Sequence, residues 1–147
     1  MMSSHENLED ILFYSLERSI KSYRQFAQQQ LVKHGFDITI DQWMLLKAIH
    51  DHPGETQQQI AQTIFKDFAS VTRMVELLVE KKYIVRSPHP TDRRRFELKL
   101  AKTAVELMAK MQPVIENNRK IALKDIDKQQ IHLFEEVLNL ICNNCKT

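Results

Sequence analysis

Three consecutive arginines, Arg93-Arg94-Arg95, follow Thr91-Asp92 in a polar stretch preceded by Pro88 and Pro90. Like charges packed this closely repel one another and call for an anion. The phosphates of double-stranded DNA are the polyanion that suits them. Asp92 is placed to hold one guanidinium and leave the others free. A second cluster lies upstream in Asp67-Phe68-Ala69-Ser70-Val71-Thr72-Arg73. Here Ser70, Thr72 and Arg73 could face DNA: a guanidinium fork suits guanine edges or phosphate, and hydroxyls serve either. Gln57, Gln58 and Arg86 complete the DNA-binding set. Between Lys66 and Lys102 ten Lys or Arg face five Asp or Glu, a local charge of +5 in a chain of net +2, leaving −3 for the rest. A basic segment on a mildly acidic remainder is the footprint of a phosphate-binding face.

Other reactive side chains form weaker patterns. Cys142 and Cys145 share one helical face, and a redox- or metal-responsive regulator is the corresponding alternative. Without a second ligand pair nearby, inert thiols are the competing reading. His50-Asp51-His52 could donate metal ligands but also reads as a solvated loop, so no metal ligand is assigned. His89 is read as a phosphate neighbour. Enzyme chemistry lacks its parts: with only Gly35 and Gly54 there is no glycine-rich phosphate loop, and no nucleophile elbow or HExxH pattern occurs. No catalytic residue and no cofactor are expected.

The elements that must position these residues are mostly helical. Ser3 with Glu6, Thr39 with Gln42, Thr56 with Gln59, and Asp127 with Gln130 fit the capping box that opens a helix. The first helix is expected from Ser3 to Gly35 on the stripe Leu8, Ile11, Leu12, Leu16, Ile20, Tyr23, Ala27 and Leu31. Others are expected at about 40–50, 57–64 and 67–82. Strict alternation in Phe96-Glu97-Leu98-Lys99-Leu100 then predicts a strand, pairing with Tyr83 to Arg86 across a loop from Ser87 to Arg95 that holds both prolines. Helical spacing returns from Ala101, with a kink expected at Pro113, and again after Asp127. Short helices followed by a basic hairpin make a winged helix-turn-helix, mainly α with a small β wing. Its fourth helix would enter the major groove and its hairpin loop would reach the minor groove or backbone. A winged helix used to bind protein is the alternative, which the arginine triplet opposes.

The stretch from Ile38 to about Thr103 resembles the multiple antibiotic resistance regulator (MarR) family. The family's recognition helix reads broadly Asp-x-Ser-Thr-Val-Thr-Arg-Leu-Val-Asp-x-Leu, against Asp67 to Leu78 here. Its following Glu-Lys-Lys-Gly-Leu-Val-x-Arg is similar to Glu80 to Arg86. Its wing motif Asp-x-Arg and the strand after it match Asp92-Arg93-Arg94 and Leu98-Lys99-Leu100. The chain departs where Lys82 replaces Gly, where Ala101 replaces a capping Thr, and where Phe68-Ala69 makes the reading end more apolar.

The resemblance implies a homodimer, with residues 38–102 as a winged DNA-binding lobe and residues 3–35 and 103–147 as a helical dimerisation lobe within one domain, 1–147. The wide apolar stripes of the terminal helices agree with this independently. It further implies a transcription regulator, expected to be a repressor, on a palindromic DNA operator. A small-molecule effector would bind between the lobes, with Tyr23, Trp43 and Met108 as pocket residues. Core packing is the competing role for all three. A hydrophobic share of 43% with 27% charged residues is globular, no apolar run is long enough for a membrane helix, and the first residues lack a secretory pattern. A cytoplasmic protein with no membrane partner is the expectation.

Overall fold

The computed structural model describes residues 5–147. A 3-10 turn, Leu8–Asp10, is followed by α1 (Leu12–Lys33), α2 (Ile40–Asp51), α3 (Gln57–Thr63) and α4 (Phe68–Glu80). The strands β1 (Ile84–Pro88) and β2 (Phe96–Leu100) come next, then α5 (Lys102–Ala122) and α6 (Lys128–Asn144).

Capping explains where most helices begin. Thr39 with Gln42, Thr56 with Gln59, and Asp127 with Gln130 each form the reciprocal pair, side chain to backbone amide in both directions. The box expected at Ser3 lies outside the described residues, and the first long helix does not run from it. Ile11 is extended, and α1 starts at Leu12. A short 3-10 turn meets the spacing of Leu8, Ile11 and Leu12 as well as a continuous helix does, so periodicity alone could not separate them. In α5, Pro113 lies inside a helix that continues to Ala122.

At the end of α4 the chain reverses through Lys82, which takes the left-handed conformation (φ 68°) where the family has Gly. A side chain in that region costs on the order of 1 kcal/mol. Neighbours hold it there: Tyr83 donates its amide to Leu78 O at 2.9 Å, and the Thr103 hydroxyl donates to the Lys82 carbonyl. The hairpin that follows is antiparallel, pairing Ile84 with Leu100 and Pro88 with Phe96. Pro88 therefore ends β1 rather than lying in the loop. A two-stranded sheet leaves each strand one free edge, so a terminal proline removes no needed donor.

Leu45, Leu46, Val71, Val75, Leu78, Ile84, Leu98 and Met111 pack a core shared by α2, α4, the hairpin and α5, which Leu31 at the end of α1 and Ile60 of α3 join. The terminal helices differ. α6 buries no residue, and α1 buries only Ala27 and Leu31. Leu12, Phe13 and Ile20 on α1, with Leu133, Phe134, Val137 and Leu140 on α6, stand exposed. Among the described residues no helix is long and apolar enough to cross a membrane.

Candidate nucleic-acid interface

Asp67 positions the reading end of α4. Its carboxylate accepts from the Ser70 amide at 2.7 Å and from the Ser70 hydroxyl at 2.8 Å. The backbone bond from Ser70, then the hydroxyl bond, hold this carboxyl below the usual carboxylate range. Arg73 in turn donates to Ser70 Oγ at 3.2 Å. One turn on, Thr72 donates its hydroxyl to the Phe68 carbonyl at 2.9 Å and accepts from Gln57 Nε2 at 2.6 Å. The last bond clamps α3 against α4, because Gln57 opens α3.

Gln57, Gln58, Thr72, Arg86 and Arg95 come together around one cleft of about 450 Å³ between α3, α4 and the hairpin. Phe68 and Phe96, both largely exposed, share its walls. Arg93 and Arg94 stand exposed in the loop beyond, and Ser70 and Arg73 sit on α4 outside the cleft. Among the described residues none of Arg73, Arg86, Arg93, Arg94 or Arg95 is paired with a carboxylate, although Lys and Arg elsewhere form six such pairs.

The wing loop corrects one expectation. Asp92 does not hold a guanidinium. Its Oδ1 accepts from the Arg94 amide at 3.0 Å, and its carbonyl accepts from the Arg95 amide at 3.2 Å. A tight turn leaves amides pointing inward, and the nearest acceptor takes them before a flexible side chain two bonds further out can compete. All three guanidinium groups are thereby left to solvent. His89, read as a phosphate neighbour, turns its Nδ1 inward to accept from the amides of Thr91 and Asp92 at 3.2 and 3.1 Å.

A second cavity, about 310 Å³, lies between α1, α2 and α5. Tyr23 and Trp43 line it, but Met108 does not. Met108 faces a separate groove with Lys47, His50 and Val105, on the other side of Trp43. Three residues before Met111, it lies about 60° round α5 from the face that lines the cavity. Sequence reasoning missed Arg24, Phe65, Asn118 and Arg119, which also line it. Asn118 was findable: it follows Met111 and Ile115 at helical spacing, a polar residue on a buried stripe. It is 2% exposed. Phe65 left no such signal. It is 87% exposed, in the left-handed conformation (φ 61°), two residues before the α4 cap. Cys142 and Cys145 lie exposed near the end of α6, and no group of three metal-ligating side chains occurs among the described residues.

A capped helix, clamped by its predecessor and flanked by a hairpin of unpaired arginines, is the DNA-binding part of a winged helix-turn-helix protein. The particular family follows from comparison. Residues 36–95 match the sequence model of the MarR family. A Thauera aromatica protein, whose name assigns it to transcriptional regulation of the hcr operon, is 31% identical over 112 residues, covering 76% of this chain and 66% of that protein. Among solved structures, Bordetella bronchiseptica BpsR superimposes with a TM-score of 0.84 at 19% identity, covering 95% of this chain and 98% of that one. Staphylococcus aureus MepR in its DNA complex gives 0.81 at 20% identity, covering 95% and 100%. The chain belongs to the MarR family of winged-helix transcription regulators.

Proposed function

We propose that this chain is a homodimeric repressor that binds a palindromic DNA operator and is released by a small-molecule effector. The observation that carries the reading is the set of five arginines, Arg73, Arg86, Arg93, Arg94 and Arg95, left without carboxylate partners on the helix and hairpin. Guanidinium groups without carboxylate partners on a helix and a wing suit the charge of duplex phosphates. MepR, whose fold this chain shares, is known in complex with DNA.

Surface area supports a dimer through residues 3–35 and 103–147, with 38–102 as the DNA-binding lobe. The single chain exposes 11230 Å², against roughly 7,900 Å² for a compact monomer of its mass. α1 and α6 carry exposed large apolar residues around an apolar groove of about 590 Å³ lined by Leu16, Ile20, Phe134 and Leu138. A second copy laying its own terminal helices there would cover the exposed leucines and phenylalanines and hold two α4 helices for two half-sites.

The 310 Å³ cavity fits a small effector. Its walls are aromatic and aliphatic, with Arg24, Arg119 and Asn118 as polar anchors, which suits a small aromatic acid. DNA binding by BpsR is regulated by such an acid, 6-hydroxynicotinic acid. The test is selection of bound sequences from randomised duplex DNA by the full chain, followed by anisotropy titration with and without small aromatic acids. Recovery of an imperfect palindrome with half-site centres about 10 bp apart supports the reading. Recovery of no preferred sequence, with no duplex binding in low salt, removes it.

A further inference from the structure

The hydroxyls at the reading end of α4 are already engaged. A hydroxyl has one proton to donate and two lone pairs. Ser70 donates its proton to Asp67 and accepts from Arg73; Thr72 donates to the Phe68 carbonyl and accepts from Gln57. Neither has a proton left for an acceptor on a base edge. What the first two residues of α4 present to solvent is apolar. Phe68 is its first residue and 55% exposed, outside the buried core, and Ala69 beside it is exposed too. In the major groove the apolar feature of a base pair is the 5-methyl group of thymine, and small apolar or aromatic side chains are its complement.

We propose that Phe68, flanked by Ala69, reads a thymine methyl group in each operator half-site and is a specificity-determining residue of this chain. The proposal rests on the DNA-binding reading above. It places discrimination at that position in apolar contact rather than in hydrogen bonds from Ser70 or Thr72. Phe68 then selects thymine over cytosine and adenine wherever the first turn of α4 meets the groove floor.

Deoxyuridine substitution tests this, because it removes the methyl and leaves base pairing intact. Each thymine of the selected operator is replaced in turn, and affinity for the full-length protein is read by competition anisotropy. Replacement at one thymine per half-site should weaken binding about fourfold, the equilibrium worth of one buried methyl group. Phe68→Ala should erase that penalty, and Phe68→Leu should keep part of it, with circular dichroism and melting confirming that both variants fold. The proposal is overturned if every thymine tolerates deoxyuridine, if Phe68→Ala keeps the penalty, or if Phe68→Ala weakens operator and random duplex alike, as contact with the sugar backbone would. Binding of wild-type protein to operator over random duplex is scored separately. Its absence defeats the DNA-binding reading itself and this inference with it.

Discussion

Asp41 accepts a hydrogen bond from Lys66 at Oδ2, at 3.0 Å, while its Oδ1 accepts from Arg24. Arg24 belongs to α1 and lines the 310 Å³ cavity, and Lys66 lies between Phe65, another cavity residue, and Asp67, the cap of α4. One carboxylate thus ties a terminal helix to the turn that launches the reading helix. Under the proposed function, an anionic ligand drawn to Arg24 would compete with Asp41 for the same guanidinium and so reach α4.

Burial raises the Asp41 pKa, but the hydrogen bonds from Lys66 and Arg24 outweigh it and hold the carboxyl below its ordinary value. A depressed folded-state pKa contributes stability above the unfolded value of about 3.9, which is lost as pH falls through the folded one. Asp41→Asn should therefore lower stability by about 1 kcal/mol at pH 7, a modest figure because the pair is partly exposed and screened. The gap between wild type and variant in urea melts should stay constant from pH 8 to 5 and narrow below about pH 4. A gap independent of pH would remove Asp41 as the titrating group.

Arg94 and Arg73 should separate by their salt dependence. With Asp92 bound to backbone amides, the Arg94 side chain is free for phosphate, so Arg94→Ala should weaken all duplexes alike. The log–log salt slope should fall by about 1 per lost contact per subunit. Arg73→Ala should cost about 1–3 kcal/mol per half-site on operator and less on random duplex if the residue reads a base. Equal loss on both would assign Arg73 to phosphate.

Sedimentation at micromolar concentration should give twice the chain mass of 17.4 kDa. Phe134→Asp places a charge on the exposed apolar face of α6. It should shift the species to monomer and cost operator affinity far beyond any change in salt slope. A variant that stays dimeric would move the interface elsewhere.

Asn118 sets stability against ligand binding. Asn118 is a buried polar residue on the cavity wall, so Asn118→Leu, which adds apolar burial there, should melt at or above the wild-type temperature. The same change should weaken an aromatic-acid effector about tenfold or more. The fluorescence of Trp43, the chain's one tryptophan and part of the cavity wall, reports both titrations. Higher stability with unchanged ligand affinity would make Asn118 a packing residue only.

Local chemistry was legible in the sequence. The caps at Thr39, Thr56 and Asp127, the alternation in Phe96 to Leu100, and the left-handed demand on Lys82 depend on residues a few positions apart. Their short-range bonds form whatever the rest of the chain does. The basic character of the hairpin loop was legible for the same reason, since an arginine triplet declares its charge without tertiary help. What only the tertiary structure decided involves partners distant in sequence or competition between partners. Asp92 went to the turn amides because they were nearer than any guanidinium, and Thr72 was claimed by Gln57, fifteen positions away. Met108 fell outside the cavity that Tyr23 and Trp43 line because a rotation of about 60° on α5 is enough to face a different groove. The Arg24–Asp41–Lys66 link joins three elements that only the packing of α1 against α2 and the α3–α4 turn brings within bonding distance.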